Sequence, residues 1–268
     1  MKKTCYLNQH FIPCSEANIS LFDQGLLRGY GVFDFLRTYN GHPFLLGDHL
    51  SHFRESARII GLDLTFSDDH IRRVVHQLIK KNDWRDGGIR LVLTGGPEGN
   101  FFILPEELPV FSESDYQKGV TVKTYNYQRP FPKVKSLNYF LPWTLRQKDI
   151  FKEMAEIIYT NKDKVLEGAQ SNLFIFKEDT LITPKENVFP GATRNLILKL
   201  AGDYFKTEER KVFKKEITEA AEIFLTSTTK EVLPVTNWNN EKVGLGKIGE
   251  RTRQIRTLFK EYVTKKTT

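Results

Sequence analysis

Three segments of the chain contain residue types that are suited to catalysis or to ligand binding. Lys135, in KVKSLNY, precedes a small polar and aromatic turn, and a lysine amine can act as a nucleophile. Glu167, in VLEGAQSNLF, lies in a turn ahead of an apolar strand. The segment that begins at Phe189, FPGATRNLILKL, is a Gly-Ala-Thr turn that opens a helix, and helix N-termini bind anions. Together they indicate a nucleophile, an isolated carboxylate and an anion-binding helix end.

Other motifs favour ordinary structural interpretations. Residues 95–99, GGPEG, follow a strand but lack the Gly-Lys-Ser/Thr ending of a phosphate-binding loop, so a turn is favoured. His49 and His52 have a spacing that metal ligands use, but no third ligand lies at a diagnostic spacing, and we expect no metal site. The chain contains no Gly-x-Ser-x-Gly motif, so a serine hydrolase of that type has no support.

The elements that must position these residues mix strands and helices. In the N-terminal part, periodicity and turn residues predict strands over 4–12, 30–39, 44–46 and 89–94, and helices over 48–60 and 71–80. In the C-terminal part, they predict strands over 119–127, 157–160, 172–177, 181–183 and 222–226, and helices over 136–154, 194–205 and 246–262. The alternation is not a strict βαβ rhythm, so a mixed α/β (α+β) fold is predicted.

Domain organisation follows from one break in this pattern. Residues 108–116, LPVFSESDY, are rich in turn formers and lack periodicity, so they form the best linker candidate. We therefore expect a small N-terminal α/β domain over residues 1–110 and a larger C-terminal domain over residues 117–268.

Composition excludes several classes of protein. Hydrophobic residues make up 40% of the chain, with 20 Phe and 10 Tyr, which is enough for a core and argues against disorder. The net charge of +7 invites nucleic-acid binding, but the basic clusters at 206–215 and 260–266 lack an accompanying aromatic motif. No segment approaches the roughly 20 apolar residues that span a bilayer, and none reads as a secretory signal. Cys5 and Cys14 set no disulfide framework, so we expect a cytoplasmic protein that binds neither nucleic acid nor membranes.

In the combination of its motifs, the chain resembles the class IV aminotransferases, the fold type IV group of pyridoxal-phosphate enzymes. That group contains D-amino-acid aminotransferases, branched-chain aminotransferases and aminodeoxychorismate lyases. The resemblance covers nearly the whole chain and is carried by these segments: RGYGVFD at 28–34, KSLNY at 135–139, Glu167-Gly168 with Ser171-Asn172, GATR at 191–194 and TSTTKE at 226–231. It implies a two-domain fold with the active site in the cleft between the domains and with the larger domain binding the cofactor.

The resemblance implies a role for several residues toward pyridoxal 5'-phosphate (PLP). Lys135 would hold PLP as a Schiff base and move a proton between the substrate and the cofactor. Glu167 would pair with the pyridine nitrogen, and Tyr139 would contact the ring hydroxyl. The phosphate ligands implied by the family pattern are Ala192, Thr193, Thr228 and Thr229.

One position departs from the family pattern. Members usually carry a phosphate-binding arginine after the His-Leu-x segment of the first long helix, and this chain has His52 there. Histidine is shorter and is not always charged. Either His52 makes a weaker phosphate contact, or Arg54 reaches the phosphate, which helical geometry disfavours.

A transaminase also needs a cation for the substrate carboxylate, because a guanidinium holds a carboxylate at two points. Arg28, Arg37 and Arg90 are the candidates, and Phe33 is expected to contact the substrate beside them. The segments around Arg28 and Arg90 resemble a subset of D-amino-acid aminotransferases. In that subset two arginines, one from each subunit of a homodimer, are implied to clamp the α-carboxylate.

The resemblance favours a homodimeric transaminase that moves an amino group between a D-amino acid and a 2-oxo acid. A branched-chain L-amino-acid aminotransferase is the alternative, since residues 33–39 resemble its pattern, although Gly88 stands where a carboxylate-binding tyrosine is often found. Aminodeoxychorismate lyase, which eliminates pyruvate with the same lysine, is a further alternative. The last alternative is a basic binding protein that keeps the aminotransferase fold but has lost the activity. The presence of Lys135 and Glu167 argues against it.

Overall fold

The computed structural model describes residues 3–267, which form two compact units. The first unit contains residues 3–109, 134–139 and 263–267, and the second contains residues 110–133 and 140–262. The division near residue 110 lies close to the expected linker. Across residues 3–267, the structure contains no helix that combines the length and the apolar character needed to cross a membrane.

The first unit is an antiparallel sheet of six strands in the order β2-β1-β6-β5-β3-β4, covered by helices on one face. Its elements are β1 Thr4–Leu7, β2 His10–Pro13, α1 Gln24–Arg28, β3 Gly31–Tyr39, β4 His42–Pro43, α2 Leu46–Ile59, α3 Asp68–Asn82, β5 Gly88–Thr94 and β6 Phe101–Glu106. A turn of 3-10 helix spans Cys14–Glu16.

Strand β3 divides its side chains between two faces, because successive residues of a strand point to opposite sides. Val32 and Leu36 pack in the main core with α2 and α3. Phe33 and Phe35 lie on the opposite face, in a smaller apolar cluster. Residues 134–139 run beside the start of β3, which explains why they belong to the first unit although the expected boundaries assign them to the C-terminal domain.

The second unit is built on a ten-stranded sheet with the main path β12-β11-β10-β14-β15-β7-β8-β9-β13, and β16 pairs with β15. Its strands are β7 Val120–Asn126, β8 Glu156–Asn161, β9 Lys164–Gly168, β10 Asn172–Lys177, β11 Thr180–Pro184, β12 Lys206–Arg210, β13 Val212–Phe213, β14 Glu222–Ser227, β15 Glu231–Trp238 and β16 Glu241–Lys242. Its helices are α4 Glu113–Lys118, α5 Phe140–Arg146, α6 Asp149–Lys152, α7 Ala192–Ala201, α8 Lys214–Glu219 and α9 Glu250–Thr267, the last of which leaves this unit at Tyr262.

The structure corrects two predicted elements. The return strand expected over 44–46 is replaced by the short β4, because Leu45 has a positive φ of 52° and Leu46 already begins α2. The helix expected over 136–154 is wrong: residues 136–139 are not helical, and two short helices, α5 and α6, follow them. Pro142 lies in the first turn of α5, where a missing N–H costs no helical hydrogen bond. Six strands were not predicted at all: β6, β9, β12, β13, β15 and β16.

Candidate active site

Lys135 is held between β3 and α2 by its backbone. Its carbonyl accepts a hydrogen bond from Phe33 N at 2.9 Å, and its amide donates to Ser56 Oγ of α2 at 3.1 Å. Its Nζ lies 5.2 Å from the centre of the Phe33 ring. The fold therefore fixes the lysine backbone on two sides and brings the amine over an aromatic ring.

Two further predicted residues, Arg90 and Tyr139, lie near the same ring. Arg90 lies opposite Phe35 in the β3–β5 register, and its guanidinium carbon is 5.1 Å from the centre of the Phe33 ring. Tyr139 packs edge-on against Phe33 with ring centres 5.4 Å apart. Phe33 thus has a lysine, an arginine and a phenol in contact with it or close to it.

Arg90 also has an acidic partner that the sequence did not reveal. Its Nη2 donates to Glu106 Oε1 at 2.8 Å, and its Nε donates to the second carboxylate oxygen. Glu106 is at the end of β6, a strand that was not predicted. The ion pair occupies one edge of the guanidinium and fixes its orientation.

The other two candidate arginines lie away from Phe33. Arg37, toward the far end of β3, packs over the Tyr39 ring at 4.1 Å. Arg28 is exposed at the end of α1, where its Nη1 donates to the carbonyl of Leu27 at 3.1 Å. The structure therefore brings Arg90 to the Lys135 group of the same chain.

The turn that carries Arg28 is rigidly supported. Asp23 caps α1 by accepting hydrogen bonds from the amides of Gly25 and Leu26. The completely buried Asp23 carboxylate also accepts from Thr94 Oγ1 and Asn100 Nδ2, both at 2.6 Å. The pKa of Asp23 is lowered because these four hydrogen bonds outweigh the effect of burial, which would raise it. The buried cap thus holds the start of α1, the helix that ends at Arg28.

His52 lies on α2, half-buried, on the same side of the helix as Ser56. Burial lowers the pKa of His52 below its usual 6.5, and the charges of His49 and Lys135 act in the same direction, against that of Asp34. Arg54 points elsewhere: it bonds to Asp68 and to the carbonyls of Leu64 and Phe66. The alternative in which Arg54 replaces the family arginine is therefore not what the structure shows.

Glu167 was expected in a turn, but it is the penultimate residue of strand β9 in the second unit, because residues 164–168 pair with β8. It is buried, with 4% of its surface exposed. Its Oε1 accepts hydrogen bonds from Arg129 Nη2 at 2.6 Å and Nε at 2.8 Å. Its Oε2 accepts from the amide of Phe189 at 2.8 Å. Arg129 was not singled out by the sequence, since its partner lies far along the chain and no motif spacing links them.

The loop that Glu167 holds leads directly to the predicted phosphate ligands. Asn172 Nδ2 donates to the carbonyl of Phe189 at 2.7 Å, and α7 begins soon afterwards with the buried pair Ala192 and Thr193. The N-cap residue of α7 is Gly191, which has no side chain that could bond the first amides of this helix.

The other two predicted phosphate ligands, Thr228 and Thr229, lie in the turn between β14 and β15. Asn172 pairs with Thr226 across the β10–β14 register, which brings this turn to the loop that precedes α7. Thr229 Oγ1 is 3.2 Å from Ser227 Oγ. The buried Oγ1 of Thr226 has no hydrogen-bond partner among residues 3–267. Glu167, the start of α7 and this threonine turn are therefore joined within one unit.

The described range, residues 3–267, contains no group of three or more His, Cys, Asp or Glu side chains that could hold a metal ion. Neutral hydroxyls, helix amides and one fixed carboxylate instead make up the polar groups of the second unit's candidate site. They suit an organic ligand with an anionic end and a hydrogen-bond donor.

Comparisons with known proteins agree on one group of relatives. The family model "amino-transferase class IV" matches residues 31–238. The chain is 30% identical to the D-alanine aminotransferase of Bacillus licheniformis, over 97% of each protein. It is 29% identical to the putative branched-chain-amino-acid aminotransferase of Methanocaldococcus jannaschii, over 97% of this chain and 96% of that protein. The solved branched-chain amino acid aminotransferase from Thermobaculum terrenum, in its PLP form, has the same fold, with a TM-score of 0.87 at 24% identity, over 99% of this chain and 95% of that one.

Proposed function

Because the chain belongs to the class IV aminotransferase family, we propose that it transfers an amino group between a D-amino acid and a 2-oxo acid. The family match confirms the resemblance, the fold type, the enzyme class and the dependence on PLP that the sequence predicted. The substrate, the site residues, the domain boundaries and the assembly remain proposals.

The polar groups of the second unit fit PLP. The Glu167 carboxylate is an acceptor suited to a protonated pyridine nitrogen, and Arg129 and Phe189 fix its orientation. An uncapped helix start and an unpartnered buried hydroxyl at Thr226 offer donors near the implied phosphate ligands. We propose that Ala192, Thr193, Thr228 and Thr229 hold the phosphate, with His52 as a further ligand and Tyr139 on the ring hydroxyl.

The observation that carries the proposal is the pair of cations on one ring. Lys135 Nζ and the Arg90 guanidinium lie 5.2 Å and 5.1 Å from the centre of Phe33. An α-amino acid has its amine and its carboxylate on the same carbon, so it needs an amine-reactive group and a carboxylate-binding cation close together. The Phe33 face of the sheet offers both.

In the proposed reaction, Lys135, Arg90 and Glu167 each have a separate role. When bound, PLP supplies an electron sink for the electron pair left at the substrate Cα. Lys135 Nζ takes the proton from the substrate Cα and delivers it to C4′ of the cofactor. Arg90 binds the α-carboxylate with the N–H groups that Glu106 does not use. Glu167 accepts the hydrogen bond that keeps a proton on the ring nitrogen.

Gly88 supports a D-amino acid over a branched-chain L-amino acid. A Cβ at this position would collide with the Phe35 ring and lie 2.9 Å from the carbonyl of Glu106. Position 88 therefore has no room for the carboxylate-binding tyrosine that the branched-chain pattern often places there. The branched-chain alternative still has support from the Methanocaldococcus jannaschii relative, which is 29% identical.

We also infer a homodimer in which Arg28 serves the site of the partner subunit. The segment around this exposed arginine exposes apolar side chains: Leu21 is 77%, Phe22 72% and Leu26 57% exposed. Such a cluster is typical of a surface that another chain covers. A cytoplasmic location is proposed as well, since Cys5 and Cys14 are free thiols, as a reducing compartment requires.

A half-reaction screen tests the function. The purified holoenzyme is mixed in turn with D-alanine, D-glutamate, L-leucine and aminodeoxychorismate, and the visible absorption of the cofactor is followed. Loss of the band with D-amino acids alone supports the proposal. Loss with L-leucine alone would establish the branched-chain enzyme, and release of pyruvate with p-aminobenzoate would establish the lyase.

A further inference from the structure

Lys230 and Glu156 form an ion pair that is almost completely buried in the second unit. Lys230 Nζ lies 3.1 Å from Glu156 Oε2, and the two side chains are 2% and 0% exposed. Burying two charges costs more free energy than an ordinary contact returns, unless further hydrogen bonds compensate. The proposed chemistry uses neither residue, so the pair needs another explanation.

The pair connects two strands that are not hydrogen-bonded neighbours. Glu156 is the first residue of β8, Lys230 ends the turn before β15, and β7 lies between these strands in the sheet. The turn that Lys230 ends is the one that carries Thr228 and Thr229. The lysine backbone is fixed there, because its amide donates to Ser227 Oγ and its carbonyl accepts from Tyr116 Oη, both at 3.1 Å.

Glu156 also holds the turn that follows Glu167. Its Oε2 accepts hydrogen bonds from Ser171 Oγ at 2.8 Å and from the amide of Gln170 at 3.3 Å. Gly168 makes this close packing possible, since a Cβ there would collide with Ser171 Oγ and stand 2.8 Å from Glu156 Cγ. The residue after Glu167 is thus packed directly onto the buried carboxylate.

We propose that the Glu156–Lys230 pair positions the two ends of the cofactor site, holding the turn of Glu167 at a set spacing from the turn of Thr228 and Thr229. This inference rests on the proposed function, in which these turns bind the ring nitrogen and the phosphate of PLP. A ligand held at both ends gains its full affinity only when the two binding groups are already correctly spaced. The pair supplies that spacing from behind the site, without touching the ligand.

The test compares PLP with pyridoxal, which lacks the phosphate, on the apoenzyme. Both compounds carry the same aldehyde, so the ratio of their dissociation constants cancels the contribution of Lys135. In Lys230→Met we expect the advantage of PLP over pyridoxal to fall about tenfold, as loss of a supporting group typically costs a bound ligand. An unchanged ratio would overturn the inference.

A double variant separates positioning from stability. Glu156→Gln with Lys230→Met removes both charges of the buried pair, and the single oxygen of the glutamine can still accept from Ser171 and Gln170. Arg146, which lies 3.7 Å from Glu156 Oε1, is partly exposed, so water can solvate its charge in this variant. Its melting temperature should recover toward that of the wild type. The lowered ratio should persist, because the link between the two turns is still absent. A ratio that recovers together with the melting temperature would make the pair merely structural.

Glu216→Gln is the matched control. Glu216 is another buried carboxylate of this unit, 2.7 Å from Arg210 Nη2, and it belongs to neither turn. The Glu216→Gln variant should have a lower melting temperature and the same advantage of PLP over pyridoxal as the wild type. A smaller advantage of PLP in this variant would contradict the inference. If the wild-type apoenzyme binds PLP no more tightly than pyridoxal, the proposed function itself fails. If the wild type prefers PLP and Lys230→Met has the same ratio of dissociation constants, only the inference about the ion pair fails.

Discussion

Asp34 Oδ1 lies 2.7 Å from His49 Nδ1, and the aspartate is completely buried. The same oxygen accepts the amide of Phe35 at 2.6 Å, whereas Oδ2 has no hydrogen-bond partner among residues 3–267. Burial alone would raise the pKa of Asp34, but the charge and hydrogen bond of His49 and the charges of Lys135 and His52 lower it. A buried anion is thus surrounded by three basic groups, one of them the proposed catalytic lysine.

Removing the histidine from this pair should destabilise the first unit. In His49→Ala the Asp34 charge keeps its burial but loses its main partner, which costs about 3 kcal/mol in comparable buried pairs. The free energy of unfolding in urea at neutral pH measures the loss. Lys3→Ala, which breaks the exposed Lys3–Glu107 pair, is the control and should leave it unchanged. A His49→Ala protein as stable as the wild type would show that the pair contributes nothing.

The pKa of Asp34 determines the pH below which the Asp34–His49 pair no longer stabilises the folded protein. Its folded pKa lies below the ordinary 3.8, so the stabilisation is complete above that pH and is lost as the pH falls through the folded pKa. The Asp34→Asn protein should therefore lose stability most at neutral pH and approach the wild type in strong acid. Urea unfolding of both proteins across the acid range checks this, and a constant difference would contradict it.

In the apoenzyme, where no phosphate lies beside it, His52 should make the protein sensitive to mild acid. Its pKa is lowered in the folded state, so the unfolded chain binds a proton more readily. The free energy of unfolding should therefore be highest above pH 6.5, the usual pKa of histidine, and should decrease as the pH drops below that value. His52→Gln should flatten the melting temperature between about pH 7 and pH 5. His76, on α3, gives the control variant His76→Gln, whose pH profile should match the wild type.

The site residues proposed from the sequence lie within single motifs. Lys135 and Glu167 were singled out because each sits in a short segment with turn and apolar residues around it. Arg129, Glu106 and Asp34 were missed, since each acquires its role from a partner on another strand or helix. Pairing between distant segments is a property of the folded chain, and a single sequence carries no spacing that reports it.

The same limit explains the missed elements of the fold. Residues 136–139 read as the start of a helix, but their backbone pairs with β3, a tertiary preference that overrides local propensity. Strand β6 contains Pro105 and ends in a glutamate, both unfavourable for a strand, and it exists because β5 and β1 pair with its two edges. Long periodic elements such as α2 and α3 were predicted because their own sequence determines which face is buried.

Arg90 should control the affinity for the substrate more than the rate of the chemical step. Arg90→Leu removes the guanidinium that lies over Phe33 and Phe35 and keeps an apolar side chain at this position. We therefore expect KM for a D-amino acid to rise at least about tenfold, with a smaller change in kcat. Steady-state kinetics with D-alanine measure both. Arg251→Leu, which breaks a contact with Asp179 in the second unit, is the control and should leave KM unchanged. An unchanged KM in Arg90→Leu would make Arg90 a partner of Glu106 alone.

Arg28 should act on the partner subunit, and mixing two inactive variants tests this. A dimer of one Arg28→Ala subunit and one Lys135→Ala subunit contains one site with both residues intact, if Arg28 works in trans. Co-expressed variants should then regain about a quarter of the wild-type activity, since half of the dimers are mixed and each has one working site. Each variant alone gives the baseline. Activity that stays at this baseline, in a mixture shown by mass spectrometry to contain mixed dimers, would place Arg28 at the site of its own chain or at none.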